Sequence, residues 1–136
     1  MGKRTVVIVD DSQFLIKQIV NFFEKELGFE VMATGTDGNA AVELYRKNKP
    51  DLITLDITMP NKDGMQAMQE ILTEFPDARV MMISAVRGDA MLECMNMGAK
   101  GYVEKPLKFS DADFVSDFKT TVEEVFGEAE AAGDAA

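Results

Sequence analysis

The 136 residues include no histidine and a single cysteine, Cys94. Without histidine there is no Ser-His-Asp or Cys-His nucleophile system, and nearly every common zinc site is excluded. One cysteine excludes an internal disulfide. Basic residues are scarce as well: 14 Lys and Arg stand against 24 Asp and Glu, a net charge of −10. Phosphate backbones are held by clustered Lys and Arg, so this balance argues against nucleic acid and for a cation or a partner with a basic patch. No apolar run reaches membrane-spanning length, so no membrane segment is expected. The start, MGKRTVVIVDD, passes directly into a strand pattern with no visible signal peptide, and a cytoplasmic protein is expected. Any chemistry must then run on carboxylates, hydroxyls, lysine and a hard metal ion.

What is present is ordinary globular material, 46% apolar and 28% charged, enough for one domain with a real core. The stretch 52–60, LITLDITMP, is the most informative. Its apolar residues favour strands and deliver one carboxylate, Asp56, which predicts a buried parallel strand. Further strands are predicted over 5–9, 29–33, 79–83 and 101–103. Helices are predicted between and after them. The first carries Phe14, Leu15, Ile19, Phe22, Phe23 and Leu27 at helical spacing and closes at Gly28. The second spans 40–47, the third 65–75 and the fourth 89–97. The last opens at Ser110, with Asp113 in a capping-box position. Alternating strands and helices joined by short loops specify an α/β fold. Right-handed crossovers make it a doubly wound five-stranded parallel sheet, with the flavodoxin-like order 2-1-3-4-5. The domain is expected over 1–126, followed by a mobile acidic and Ala-rich tail over 127–136.

Ligands of open α/β sheets bind at the carboxyl ends of the strands. Those ends deliver Asp10 and Asp11 from strand one, Asp56 from strand three, Ser84 from strand four and Lys105 from strand five. Singly, each has a plainer reading: Asp10 to Ser12 as a helix cap, Asp56 as a strand-end charge, Ser84 as another cap, Lys105 as a surface lysine. Together they place polar groups from four strands at one edge. Crowded carboxylates call for a divalent, oxygen-preferring ion, and Mg2+ fits best, with Mn2+ as substitute. A metal and a lysine around one carboxylate make a clamp for a transferring phosphoryl group, with Asp56 as nucleophile.

This constellation resembles the receiver domain of two-component response regulators, over essentially the whole length from Lys3 to Phe126. The matching motifs are VDDS at 9–12, DITMPNKDG at 56–64, SA at 84–85 and GAKGYVEKP at 98–106. Asp10, Asp56, Ser84 and Lys105 are separated by 46, 28 and 21 residues in turn. The resemblance implies that Asp56 is the phosphoacceptor, that Asp11 and the Thr58 backbone carbonyl bind Mg2+ directly, and that Asp10 does so through water. It implies Ser84 and Tyr102 as a switch pair, Lys105 on the phosphoryl group, and a cis peptide before Pro106. Thr58 and Val86 stand at the positions that influence phosphoryl lifetime in the family.

The piece 107–136 has eight acidic residues and two lysines, neither large nor basic enough for a DNA-binding output domain. A stand-alone receiver of the chemotaxis CheY-like type is therefore expected: a switch rather than a turnover enzyme. The expected partners are a sensor histidine kinase or phosphotransfer protein, a downstream target such as the flagellar motor switch, and a phosphatase. A phosphorelay intermediate, or the receiver of a longer regulator, is the alternative. A haloacid-dehalogenase-like phosphatase would want a second Asp where Thr58 stands. A flavin binder would want a hydroxyl-rich loop in place of Asp10-Asp11. The expected switching motion draws the loop 85–89 toward Asp56 and turns Tyr102 from an exposed to an inward position.

Overall fold

The computed structural model describes residues 2–135, with side chains described as far as Gly127. Its strands are β1 (Thr5–Val9), β2 (Glu30–Gly35), β3 (Leu52–Leu55), β4 (Val80–Ser84) and β5 (Gly101–Glu104). All pair in parallel, in the order β2-β1-β3-β4-β5. The helices are α1 (Gln13–Asn21), α2 (Gly38–Asn48), α3 (Gly64–Glu74), α4 (Asp89–Met97) and α5 (Ala112–Ala135). The helical backbone of α5 runs to Ala135. The expected tail over 127–136 falls largely outside the residues whose side chains are described.

β1, β3 and β4 are buried on both faces because helices cover both sides of the sheet. Alternation along each strand sends one set of side chains each way. Val7, Val9, Ile53, Leu55, Val80 and Met82 pack with Ala41, Val42, Tyr45, Ala67, Met68 and Ile71 of α2 and α3, and with Cys94 of α4. Val6, Ile8, Leu52, Met81 and Ile83 pack on the other side with Ile19, Phe22 and Phe23, and with Phe118, Val122 and Val125 of α5. That second layer is built largely of phenylalanine. Phe118 alone meets Phe22, Phe23, Phe109 and Phe114, with ring centroids 4.7 to 6.1 Å apart.

Several expected boundaries shift. The first helix does not run evenly to Gly28. It is α-helical only to Asn21 and then widens into a π-helical turn, Phe22–Glu26, closed by the Leu27 amide on the Phe22 carbonyl at 3.3 Å. Consecutive residues of an α-helix point about 100° apart, yet Phe22 and Phe23 are both buried; the wider turn turns both toward the core. Phe14, expected on the buried stripe, is 69% exposed. β2 lies at Glu30–Gly35, not 29–33, and Phe29 is buried ahead of it. α2 begins at Gly38, earlier than expected, because Asp37 caps it through the Ala40 amide at 2.8 Å. The cap of α5 is Asp111 rather than Ser110, its carboxylate accepting from the Asp113 and Phe114 amides at 2.9 and 3.1 Å.

One core polar group has no partner among the described residues. Thr54 in β3 is 1% exposed, and its hydroxyl makes no hydrogen bond. Burying an unpaired hydroxyl costs free energy that the isosteric Val would not incur. Thr54→Val is therefore expected to raise the unfolding free energy by about 1 kcal/mol. Urea denaturation checks this; an equal loss instead would show that the hydroxyl is paired.

Candidate functional site

The sheet register brings the expected residues to one edge. β1 and β3 are neighbours with Val9 opposite Leu55, so Asp10 and Asp56 leave the sheet side by side. The Asp56 amide donates to the Val9 carbonyl, and the Asp10 amide to that of Gly35, each at 3.1 Å. On the far side of β4, the Lys105 amide donates to the Ser84 carbonyl at 2.9 Å. The Lys105–Pro106 peptide is cis.

Asp10 and Asp56 are 1% and 5% exposed, whereas Asp11 is open to solvent. Lys105 bridges the two buried carboxylates, its ammonium 2.8 Å from Asp10 Oδ2 and 3.1 Å from Asp56 Oδ2. Asp10 uses its other oxygen to accept from the Ser12 amide at 2.9 Å, and Ser12 caps α1 through the Leu15 amide at 3.2 Å. Capping contacts and the bridge to Lys105 therefore coexist at Asp10 to Ser12. Burial pushes the Asp56 carboxyl above the usual range, and the charges of Asp10 and Asp11 add to that while Lys105 opposes it. Lys105 moves the other way from what burial alone dictates: the hydrogen bond to Asp10 and the charges of Asp56 and Asp10 hold its ammonium above the ordinary value.

Asp10, Asp11 and Asp56 each present one carboxylate oxygen within 4.8 Å of the others. Such an all-oxygen set suits a hard divalent cation and no soft one. Thr58, two residues on, is exposed.

Ser84 is fully buried and its hydroxyl accepts from the Val86 amide at 3.2 Å. The Val86 carbonyl accepts from the Tyr102 hydroxyl. Both expected switch residues therefore hold one residue of the β4–α4 loop. Tyr102 is not exposed as expected: its ring is half-buried against the face that holds Cys94, because the loop offers its hydroxyl a carbonyl. Arg87 straps the same loop to β5, 3.4 Å from Glu104.

One set of contacts was not anticipated. Asn61, at φ 68°, donates to Asp37 Oδ2 at 2.7 Å and so joins the β3–α3 loop to the start of α2. The helix-cap signal at Asp37 and the turn signal at Asn61 are each readable, but their meeting is not. Gly64, the first residue of α3 after that loop, is required by packing, since a Cβ there would strike the Asp56 carbonyl oxygen.

The profile of the response regulator receiver domain matches residues 6–113. The chemotaxis protein CheY of Thermotoga maritima is 41% identical over 109 residues, covering 79% of this chain and 89% of that protein. A protein-glutamate methylesterase/protein-glutamine glutaminase of Oleidesulfovibrio alaskensis is 38% identical over 123 residues, 88% of this chain but only 33% of that longer protein. Among solved structures, a chain of the CheX–CheY–BeF3–Mg2+ complex from Borrelia burgdorferi superposes with a TM-score of 0.81 at 37% identity, covering 90% of this chain and 89% of that one.

Proposed function

The chain belongs to the response regulator receiver domain family, and from that premise we propose that it is a phosphorylation-activated switch of a two-component system, working in chemotaxis. The observation that carries the reading is the meeting of three carboxylates and Lys105 at one sheet edge. Receiver domains are signalling switches, not turnover enzymes on external substrates.

In this reading an Asp56 oxygen attacks the phosphorus of a phosphohistidine or of acetyl phosphate. The P–N or P–O bond breaks and its electron pair leaves with the departing group: the imidazole nitrogen takes a proton from solvent, whereas acetate leaves as the carboxylate. An acyl phosphate remains on Asp56. Lys105, already within hydrogen-bond reach of Asp56, offsets charge on the phosphoryl oxygens. Asp11, Asp56 and the Thr58 carbonyl would hold Mg2+ or Mn2+, with Asp10 reaching it through water; when bound, the cation adds positive charge against the transferring group. Ser84 would give its hydroxyl to a phosphoryl oxygen and release the Val86 amide. Tyr102, bonded to the Val86 carbonyl, would follow the loop.

A phosphorylated receiver acts by binding. The donor is a sensor histidine kinase or phosphotransfer protein, and the target in the chemotaxis reading is the flagellar motor switch. A phosphatase is a further partner in this reading, and the Borrelia neighbour sits in a complex with CheX. A cytoplasmic location fits the CheY relatives, and no described helix is long and apolar enough to cross a membrane. The match to one third of a methylesterase supports the second reading, a receiver within a longer regulator or a phosphorelay.

The test is incubation with acetyl phosphate, read by intact mass. One phosphoryl group is expected on the parent with Mg2+ and none after chelation. An Asp56→Asn variant that is still phosphorylated would sink the assignment.

A further inference from the structure

The loop that leaves Asp56 is held at its root and at its tip. At the root, the Gly64 amide donates to the Ile57 carbonyl at 2.8 Å. At the tip, Asn61 donates to Asp37 Oδ2 at 2.7 Å, and the Gly38 amide donates to the Lys62 carbonyl at 3.0 Å. That approach is tight enough that a Cβ on Gly38 would strike the Lys62 carbonyl. Asp37 is engaged on both oxygens, because Oδ1 accepts from the Ala40 amide at 2.8 Å. The Ala40 amide and then Asn61 hold its carboxyl below the usual range, so it remains an acceptor at neutral pH. Thr58 lies between root and tip.

We propose that Asp37, which is not one of the clustered carboxylates, is a positioning residue for the cation: through Asn61 it fixes the loop on which Thr58 presents its carbonyl. The inference rests on the cation reading given under Proposed function. A backbone carbonyl can serve as a ligand at full strength only if its loop is ordered before the ion arrives; otherwise binding must also order the loop. Asn61 is suited to the tip for two reasons. Asparagine tolerates the left-handed conformation found there, and its amide reaches the Asp37 carboxylate at the start of α2. Among the described residues no acidic group other than Asp37 is recorded accepting from Asn61.

The plain alternative is that Asp37 only caps α2. Asn61→Gly separates the two, because glycine keeps the left-handed backbone and leaves the Asp37–Ala40 cap in place. Asp111→Ala serves as the control, removing the cap of α5 on another part of the fold. Mn2+ affinity is read from the spin-resonance signal of the free ion, and amide hydrogen exchange of 57–63 is read without metal. Asp37→Ala and Asn61→Gly are each expected to bind Mn2+ about tenfold more weakly and to exchange faster over 57–63, while Asp111→Ala binds as the parent does. Parent-like affinity in Asn61→Gly overturns the inference, whatever Asp37→Ala does, and leaves Asp37 as a cap. A parent that takes up no Mn2+ overturns the cation reading itself, and this inference with it.

Discussion

Lys105→Ala is expected to lower the unfolding free energy by about 3–5 kcal/mol in metal-free buffer at neutral pH. The ammonium is the only recorded cation within reach of two buried carboxylates among the described residues, 2.8 Å from Asp10 and 3.1 Å from Asp56. Without it, both negative charges remain in a site from which water is largely excluded. Two further results follow from the same geometry. Saturating Mg2+ should recover part of the loss, since a divalent cation can replace the missing charge. The parent's advantage should also depend on pH with a definite sign. The folded-state pKa of Lys105 is raised, so its contribution is fully present below the ordinary lysine value of 10.5 and is lost as pH rises through the folded value. Chemical denaturation of parent and variant at several pH values checks this; equal stability without metal would mean that the bridge contributes nothing.

Phe118→Ala is the other substitution with a large expected effect, about 3–5 kcal/mol. Its ring is 1% exposed and touches four other phenylalanine rings, so truncation leaves a cavity that no single neighbour can fill. It also removes the ring that packs on Phe22 and Phe23 in the wide turn. Against a total stability of roughly 5–15 kcal/mol, such a loss brings the domain close to unfolding. Thermal melting followed by circular dichroism is the check, with Phe14→Ala as the contrast. Phe14 is exposed, and its replacement should leave the melt nearly unchanged. Equal effects of the two would contradict the core described here.

The strands and the site edge were legible because both depend on short-range pattern. A run such as LITL can be satisfied only inside a sheet covered on both faces, and the polar residue that ends each run marks the edge. Asp10, Asp56, Ser84 and Lys105 follow from four such endings. What was not legible depends on partners distant in sequence. Phe22, which opens the π-helical turn, packs on Phe118, nearly a hundred residues away, and a 3.6-residue period gives no sign of that contact. The Lys105 bridge to Asp10 requires β3 and β4 to stand between β1 and β5 at the right width. Tyr102 was expected to turn from exposed to inward only as the loop moves, but the Val86 carbonyl already accepts its hydroxyl. Asp111 displaced Ser110 as a cap through a choice between adjacent residues, where local propensity discriminates least.

The central claim is that Asp56 carries the phosphoryl group, and the most direct test locates it chemically. An acyl phosphate on an aspartate is reduced by borohydride to homoserine, which marks the residue permanently. The protein is incubated with acetyl phosphate and Mg2+, reduced, digested and sequenced by mass spectrometry. Homoserine at position 56, absent when Mg2+ is chelated, is the predicted result. Homoserine at position 10 or 11, or unmodified Asp56 in protein that has demonstrably gained a phosphoryl group, would contradict it.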